Sequence, residues 1–327
     1  MSPSLSIVIP AYNVAEFIGA AVRSALNQSW RDREVIVVDD GSTDDTVGRL
    51  AGIKDSRLRV VRQDNRGLAA ARNAGVRAAR GRFIGFLDGD DLWYPRKAER
   101  QLAVMRADPL IGVSFSHSAY IDVDGRETGR FLTCRIAEPD LRRMILRNET
   151  GNGSTPIARR ECFEAAGLFA ERIRNGDEQE MWVRVLHRTP YRLRLVPEVL
   201  TAYRIRPGSL TFDFEHFIAH TGAIIDIFQR TIPGLPPALL RRARAETYRI
   251  AARKAAGSGQ SAAARRYAAR ALRLCPWLPL MDARAAATLG IVAAQMVLPD
   301  RWRALPYEAA QRLQALRQRG LGRKEVG

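Results

Sequence analysis

Phe83-Ile84-Gly85-Phe86-Leu87-Asp88-Gly89-Asp90-Asp91 is an apolar run that stops at three carboxylates within four residues. Four to eight apolar residues ending at a turn fit a strand buried inside a sheet, and in open α/β sheets ligands bind beyond the carboxyl ends of such strands. Clustered carboxylates are hard oxygen ligands suited to Mg²⁺ or Mn²⁺, ions that bind through one or two carboxylates together with the phosphates of a substrate. Taken alone, Asp-x-Asp is also the sequence of an acidic surface turn, so the neighbours decide.

Upstream, Ser4-Leu5-Ser6-Ile7-Val8-Ile9-Pro10 reads as a strand and Ala11-Tyr12-Asn13 as a loop, while Val14 to Gln28 has helix-spaced apolar residues at Phe17, Ile18, Ala21, Val22, Ala25 and Leu26. Glu34-Val35-Ile36-Val37-Val38 is a further strand and also ends in acid, at Asp39-Asp40-Gly41-Ser42-Thr43-Asp44-Asp45. Ser42 or Thr43 is placed to cap a following helix. Leu58 to Val61 gives another strand and Gly67 to Arg80 an Ala-rich helix. Strands alternating with helices through short links predict an α/β fold with a mostly parallel sheet covered by helices.

Two strands thus end in acid at one edge of one sheet, the outline of a nucleotide-diphosphate site. An ionised carboxylate only accepts hydrogen bonds, so Asp40 would select a base with an imide N–H such as uracil or thymine, guanine also offering a suitable donor. Glycine fingerprints of dinucleotide sites and P-loops are absent, which argues against an oxidoreductase or a P-loop NTPase.

Four blocks in order, Ser6 to Asn13, Val37 to Asp44, Asn65-Arg66-Gly67-Leu68-Ala69-Ala70-Ala71-Arg72-Asn73-Ala74-Gly75 and Leu87 to Asp91, resemble the signature of family 2 glycosyltransferases with the GT-A fold. The resemblance runs from Leu5 to about Thr211. It implies a nucleotide-sugar donor, a divalent metal (Mg or Mn) at Asp88 and Asp90 with Asp90 the more direct ligand, and inversion at the anomeric carbon of the sugar. It also implies that Asp40 contacts the base, that Pro10, Ala11 and Tyr12 line the donor pocket, and that Asn65, Gly67, Arg72 and Asp88 lie beside the donor.

An acceptor hydroxyl is a poor nucleophile until a base takes its proton. Arg174-Asn175-Gly176-Asp177-Glu178-Gln179-Glu180-Met181-Trp182-Val183-Arg184 resembles the family segment whose second acid is that base, which falls on Glu178. The two acids stand in reverse order here, Asp177 then Glu178, and both remain candidates. A solvated helix start, with Met181 and Trp182 turned into the core, is the structural alternative. Thr201 to Thr211 resembles the family's closing loop, with Arg206 where a His is common; a guanidinium can bind a diphosphate bidentately but cannot ligate metal.

The 327 residues suffice for two compact units, expected as a catalytic domain over 1–213 and a helical, Arg- and Ala-rich region over 214–327. From Phe214 onward 19 Lys and Arg face 7 Asp and Glu, a net +12 of the chain's +17. A helix pair is expected over Ala243 to Pro276, broken at Gly257-Ser258-Gly259. Ala285 to Leu298 is too short to span a bilayer; it reads as a buried core helix or as an interfacial helix flanked by arginines. Cys134, Cys162 and Cys275 suggest neither a disulfide framework nor a zinc site. With no export signal visible, the expectation is a cytoplasmic protein, peripheral on the inner face of the cell membrane. Its partners would be a nucleotide-sugar donor, a glycan or lipid-linked saccharide acceptor and an anionic membrane surface, with no nucleic acid expected because no aromatics interleave the basic residues. The competing class is a non-catalytic binding protein, either a sugar-nucleotide binder or a basic module that holds nucleic acid.

Overall fold

The structure, a computed structural model, describes residues 3–173, 177–206 and 214–298, with 305, 307 and 309, and for Asp177 the backbone alone. The Arg174 to Gly176 start of the second acidic block and the Pro207 to Thr211 part of the closing loop lie outside the described residues. The chain divides into two compact units, residues 1–141 with 149–206, and residues 142–148 with 207–327.

The first unit is α/β. Strands β1 (Leu5–Ala11), β2 (Arg33–Asp39), β3 (Leu58–Arg62) and β4 (Phe83–Phe86) pair in parallel in the order β3-β2-β1-β4, so β1 lies between the two acid-terminated strands. All seven residues of β1 and of β2 are buried, as expected of strands covered on both faces. Beyond β4 the pairing turns mixed. With β5 (Leu92–Trp93), β6 (Ile111–Ile121), β7 (Glu127–Leu132), β8 (Ile157–Arg159) and β9 (Arg192–Arg204), the order continues β4-β8-β6-β9-β5, β7 lying on β6. There β6 and β9 are parallel and the other pairs antiparallel.

Helices α1 (Ile18–Leu26), α2 (Leu68–Ala78) and α3 (Lys97–Ala107) cover this sheet, and the short helices α4 (Leu141–Leu146) and α5 (Arg160–Ala166) follow in the chain. α2 lies close on β1 because residue 75 is glycine; a Cβ there would collide with the Val8 side chain. The helix expected after Asp39-Asp40 is absent, replaced by a single short turn at Gly48–Leu50. Its would-be cap residues are engaged elsewhere: Asn13 Oδ1 accepts from the Thr43 and Asp44 amides, Ser42 Oγ accepts from Asn13 N, and Asp44 Oδ2 accepts from Ala15 N. Such side-chain to backbone bonds compete directly with a helix.

Glu34 ties the opposite, N-terminal ends of these strands together. Its buried carboxylate accepts from Ser6 Oγ, Arg80 N and Arg59 Nη1 at 2.8, 2.7 and 3.1 Å. Burial pushes this carboxyl up, but the hydrogen bonds from Arg80, Ser6 and Arg59 outweigh it and hold the pKa below the ordinary glutamate value. A depressed acid stabilises the fold above its unfolded pKa and loses that contribution as pH falls through the folded one. Glu34→Gln is therefore expected to cost about 2 kcal/mol at neutral pH, a difference that shrinks as pH drops below the usual glutamate range. Urea unfolding of both proteins across pH checks it; a constant gap would refute the assignment.

The second unit is helical in its described residues. α7 (Phe214–Thr231), α8 (Pro237–Gly257), α9 (Ser261–Leu274) and α11 (Ala283–Val297) pack around Phe214, Ala251, Ala255, Ala264, Tyr267 and Ile291, while α10 (Leu278–Met281) seats Leu278 in a second cluster. The helix pair read from the sequence is α8 and α9, whose alanines let the two axes approach closely. α11 buries Ala285, Thr288, Ile291, Val292 and Gln295 and leaves Met296 and Val297 exposed, so one face belongs to the core and the other does not. Among the described residues no helix is long and apolar enough to cross a membrane.

Candidate active site

The parallel block fixes what the site can be. In β1 Ala11 pairs with Asp39 and Val8 with Phe86, so the loops that follow β2 and β4 emerge on either side of Pro10-Ala11-Tyr12. Asp40 N donates to Ala11 O at 2.9 Å and Leu87 N to Val8 O at 3.0 Å. Pro10 and Ala11 are buried strand residues, whereas Tyr12 is exposed at the rim.

The Asp40 carboxylate is buried and already well used. Oδ1 accepts from Gln63 Nε2 at 2.7 Å and Arg66 N at 2.9 Å, and Oδ2 from Gly67 N at 2.8 Å. Asp40 thus holds the loop that carries Asn65 and Gly67 and opens α2. A carboxylate offers about four lone-pair positions; three are taken.

The three carboxylates after β4 divide their work. Asp91 is fully buried; it accepts from Ser154 Oγ at 2.6 Å and from Arg204 N at 2.9 Å. Burial, then the charges of Asp90 and Asp88, push its pKa well above the ordinary value. It anchors the turn and leaves Asp88 and Asp90 for other work. Asp88 N donates to the same Ser154 Oγ at 2.9 Å. Asp90 Oδ2 lies 2.9 Å from Arg206 Nε, and its backbone carbonyl accepts from Arg204 Nε at 2.7 Å. Burial raises the Asp90 pKa, the Asp88 charge adds to this, and Arg206 opposes it.

Two mutually repelling carboxylates on one turn suit a divalent cation. Among the described residues no group of three or more His, Cys, Asp or Glu gathers to hold a metal, and a cation held by Asp88 and Asp90 would take further ligands from elsewhere. That matches the habit of Mg²⁺ and Mn²⁺ of taking their other ligands from phosphates and water.

Arg72 joins this turn to the second acidic block. Its guanidinium is buried beneath the site, with Nη2 3.0 Å from Asp88 Oδ1 and Nη1 3.4 Å from Glu178 Oε2. Room for the Arg72–Asp88 pair depends on Gly153, where a Cβ would collide with Arg72 Nη2 and lie 2.8 Å from Asp88 Oδ2. Glu178 sits in the first turn of α6 (Asp177–Arg188). The rotation of α6 is fixed by Met181 and Trp182, both buried, with Trp182 against Phe86, Phe163 and Phe169. Glu178 precedes Trp182 by one turn and so shares its face. Glu180 is committed to Arg184 at 2.7 Å; the Asp177 side chain lies outside the described residues.

Several participants were not read from the sequence. Ser154 links Asp88 to Asp91, and Asn73 clamps the segment before α6 by donating to Phe169 O and accepting from Phe169 N, each at 2.9 Å. Lys97 is buried with Nζ donating to Thr155 O at 2.7 Å and lying 4.9 Å above the Trp93 ring; burial pulls its pKa well below the ordinary lysine value. It supports the loop that carries Gly153 and Ser154. A cavity of about 740 Å³ lies against α1, lined by Asn13, Phe17, Arg23, Asp44, Arg49 and Arg206 among others. It shares Arg206 with the carboxylate cluster but contains none of Asp40, Asp88 or Glu178, so the chemistry is assigned to the strand ends and not to this cavity.

Comparison with known proteins bears on the family and the fold. The family model described as glycosyl transferase family 2 matches residues 6–166. An uncharacterized glycosyltransferase of Rickettsia felis is 32% identical over 228 residues, which make up 64% of this chain and 34% of that protein. The chain therefore spans about a third of the length of several curated relatives that it matches. WfaP of Escherichia coli, named a UDP-Glc:alpha-D-GlcNAc-diphosphoundecaprenol beta-1,3-glucosyltransferase, is 43% identical over 129 residues, 39% of this chain and 50% of WfaP. Among solved structures, the mannosyltransferase PcManGT of Pyrobaculum calidifontis, in complex with GDP-Man and Mn²⁺, superposes with a TM-score of 0.59 at 19% identity, covering 99% of this chain and 89% of that one. The fold is thus the GT-A fold of glycosyltransferases. Both acid-terminated strands and the α2 loop lie inside the stretch that matches glycosyl transferase family 2.

Proposed function

We propose that this protein is an inverting glycosyltransferase, carried by its first unit, that moves a sugar from a UDP-sugar to a hydroxyl of a glycan or lipid-linked saccharide in surface polysaccharide synthesis. One observation carries the reading: β1 is flanked by the two acid-terminated strands, and Arg72 ties the Asp88 end to Glu178. Base recognition, a phosphate-side cation site and a proton acceptor then belong to one cluster. Asp40, with three acceptor positions filled by its own loop, has one left, which suits the single imide N–H of uracil or thymine better than the paired donors of guanine. WfaP, named for a UDP-sugar and a diphosphoundecaprenol-linked acceptor, supports the same donor and acceptor classes. A lipid-linked acceptor would bring the protein to the cytoplasmic face of a membrane.

A divalent ion at Asp88 and Asp90 would offset charge on the departing diphosphate. The chain's own residues do the rest. Glu178, or Asp177 beside it, accepts the acceptor O–H proton as the new O–C1 bond forms and the C1–O(phosphate) bond breaks, a single displacement that inverts C1. A non-catalytic binder would have no use for that base.

Hydrolysis of a panel of UDP-, TDP- and GDP-sugars with Mg²⁺ or Mn²⁺ tests the function, with UDP- or TDP-sugars expected to turn over. Absence of turnover of any donor would favour the binder. Asp40→Asn belongs in the same experiment: its amide N–H₂ would face the Arg66 and Gly67 amides or the base, donor against donor. Calorimetric affinity for UDP should fall about 10- to 100-fold, the size of a lost charged hydrogen bond. Unchanged affinity would remove Asp40 from base recognition.

A further inference from the structure

In the second unit, α9 buries Ala264, Tyr267, Ala268 and Ala271, and its opposite side carries Arg265, Arg266, Arg270 and Arg273, all exposed. The row runs directly into the turn formed by Pro276, Trp277 and α10. Leu278 alone points inward there, packed in a cluster with Ala245, Ala271 and Ala285. Trp277, Leu280 and Met281 stand out with 68%, 81% and 54% of their surface exposed. Pro276 and Pro279 stiffen the turn, and no acidic residue occurs from Ser258 to Met281. Arg266 has an exposed partner in Glu215 at 3.8 Å.

We propose that the arginine row and the Trp277–Met281 turn form a docking surface for an anionic lipid bilayer. The guanidinium groups suit lipid phosphates; Trp277 suits the headgroup boundary, where tryptophan concentrates; Leu280 and Met281 suit the acyl boundary just beneath it. A nucleic acid would use the arginines but give Leu280 and Met281 no apolar seat. A second copy of this chain would set one arginine row against another. The membrane reading of the acceptor supplies the setting, but the surface is tested separately from it, because donor hydrolysis reports the first unit and vesicle binding the second.

The experiment is co-sedimentation of the full chain with phosphatidylglycerol–phosphatidylcholine vesicles and with pure phosphatidylcholine vesicles. Binding to the mixed vesicles only, weakening as salt rises, is expected. Trp277→Ser with Leu280→Ser should lower partition about 10-fold or more, and Arg265→Gln with Arg270→Gln and Arg273→Gln should abolish the preference for anionic lipid. Both sets should keep wild-type helical content and donor hydrolysis. Equal partition of either variant set with wild type, or equal binding to both vesicle types, overturns the proposal; so does a dimer that the turn variants dissolve while vesicle binding persists.

Discussion

Asp90→Ala is expected to abolish transfer, by about 10³-fold or more, because the substitution removes several kcal/mol of charge stabilisation from the departing diphosphate. The fold should survive. Asp91, not Asp90, holds the turn through Ser154 and Arg204, while the Asp90 carboxylate pairs with Arg206, a side chain that is itself 40% exposed. Excess chelator should bring wild type to the same level, and the unfolding midpoint of the variant should stay near that of wild type. Transfer that persists in Asp90→Ala or in chelator would sink the metal assignment, whereas an unfolded variant would show that Asp90 is structural.

Glu178→Gln should slow transfer by roughly 10²-fold or more, the usual contribution of a general base, while affinity for UDP stays close to wild type. The substitution suits the local geometry, since a glutamine carbonyl can still accept from Arg72 Nη1 where the carboxylate now lies at 3.4 Å. What it removes is proton affinity. Asp177→Asn is the control, in rate assays and in UDP titration alike. Should that control lose transfer while Glu178→Gln keeps it, the base is Asp177.

The strands that place the site could be read from their composition, because β1, β2 and β4 are short apolar runs, the last two of them closed by acid. That Asp40 and Asp88 share an edge followed from the parallel connection alone. Less could be read where distant residues decide. Nothing local distinguishes Asp91 from Asp88 and Asp90; its burial depends on Ser154 and Arg204, which are remote in the chain. The missing helix after Asp40 failed for a related reason: Ser42, Thr43 and Asp44 find partners in the Asn13 loop, 29 to 31 residues earlier. The mixed half of the sheet is joined to the parallel half through β8, only three residues long, which carries no periodic signal of its own. Arg72 could be picked out by resemblance, but not its position between two acids.

The contact between Arg206 and Asp90 would make ion and donor binding at the proposed site a matter of shared populations. If an ion takes Asp90 Oδ2, it displaces a guanidinium, and its observed dissociation constant is then the intrinsic one divided by the fraction of molecules in which Arg206 has left. A diphosphate that draws the fork of Arg206 towards its own oxygens raises that fraction. If Asp90 holds the ion as proposed, each ligand tightens the other through a side chain that need not touch both at once, and reciprocity makes the two enhancements equal. An isolated ion would then bind weakly to a chain that, with its nucleotide present, holds the same ion well.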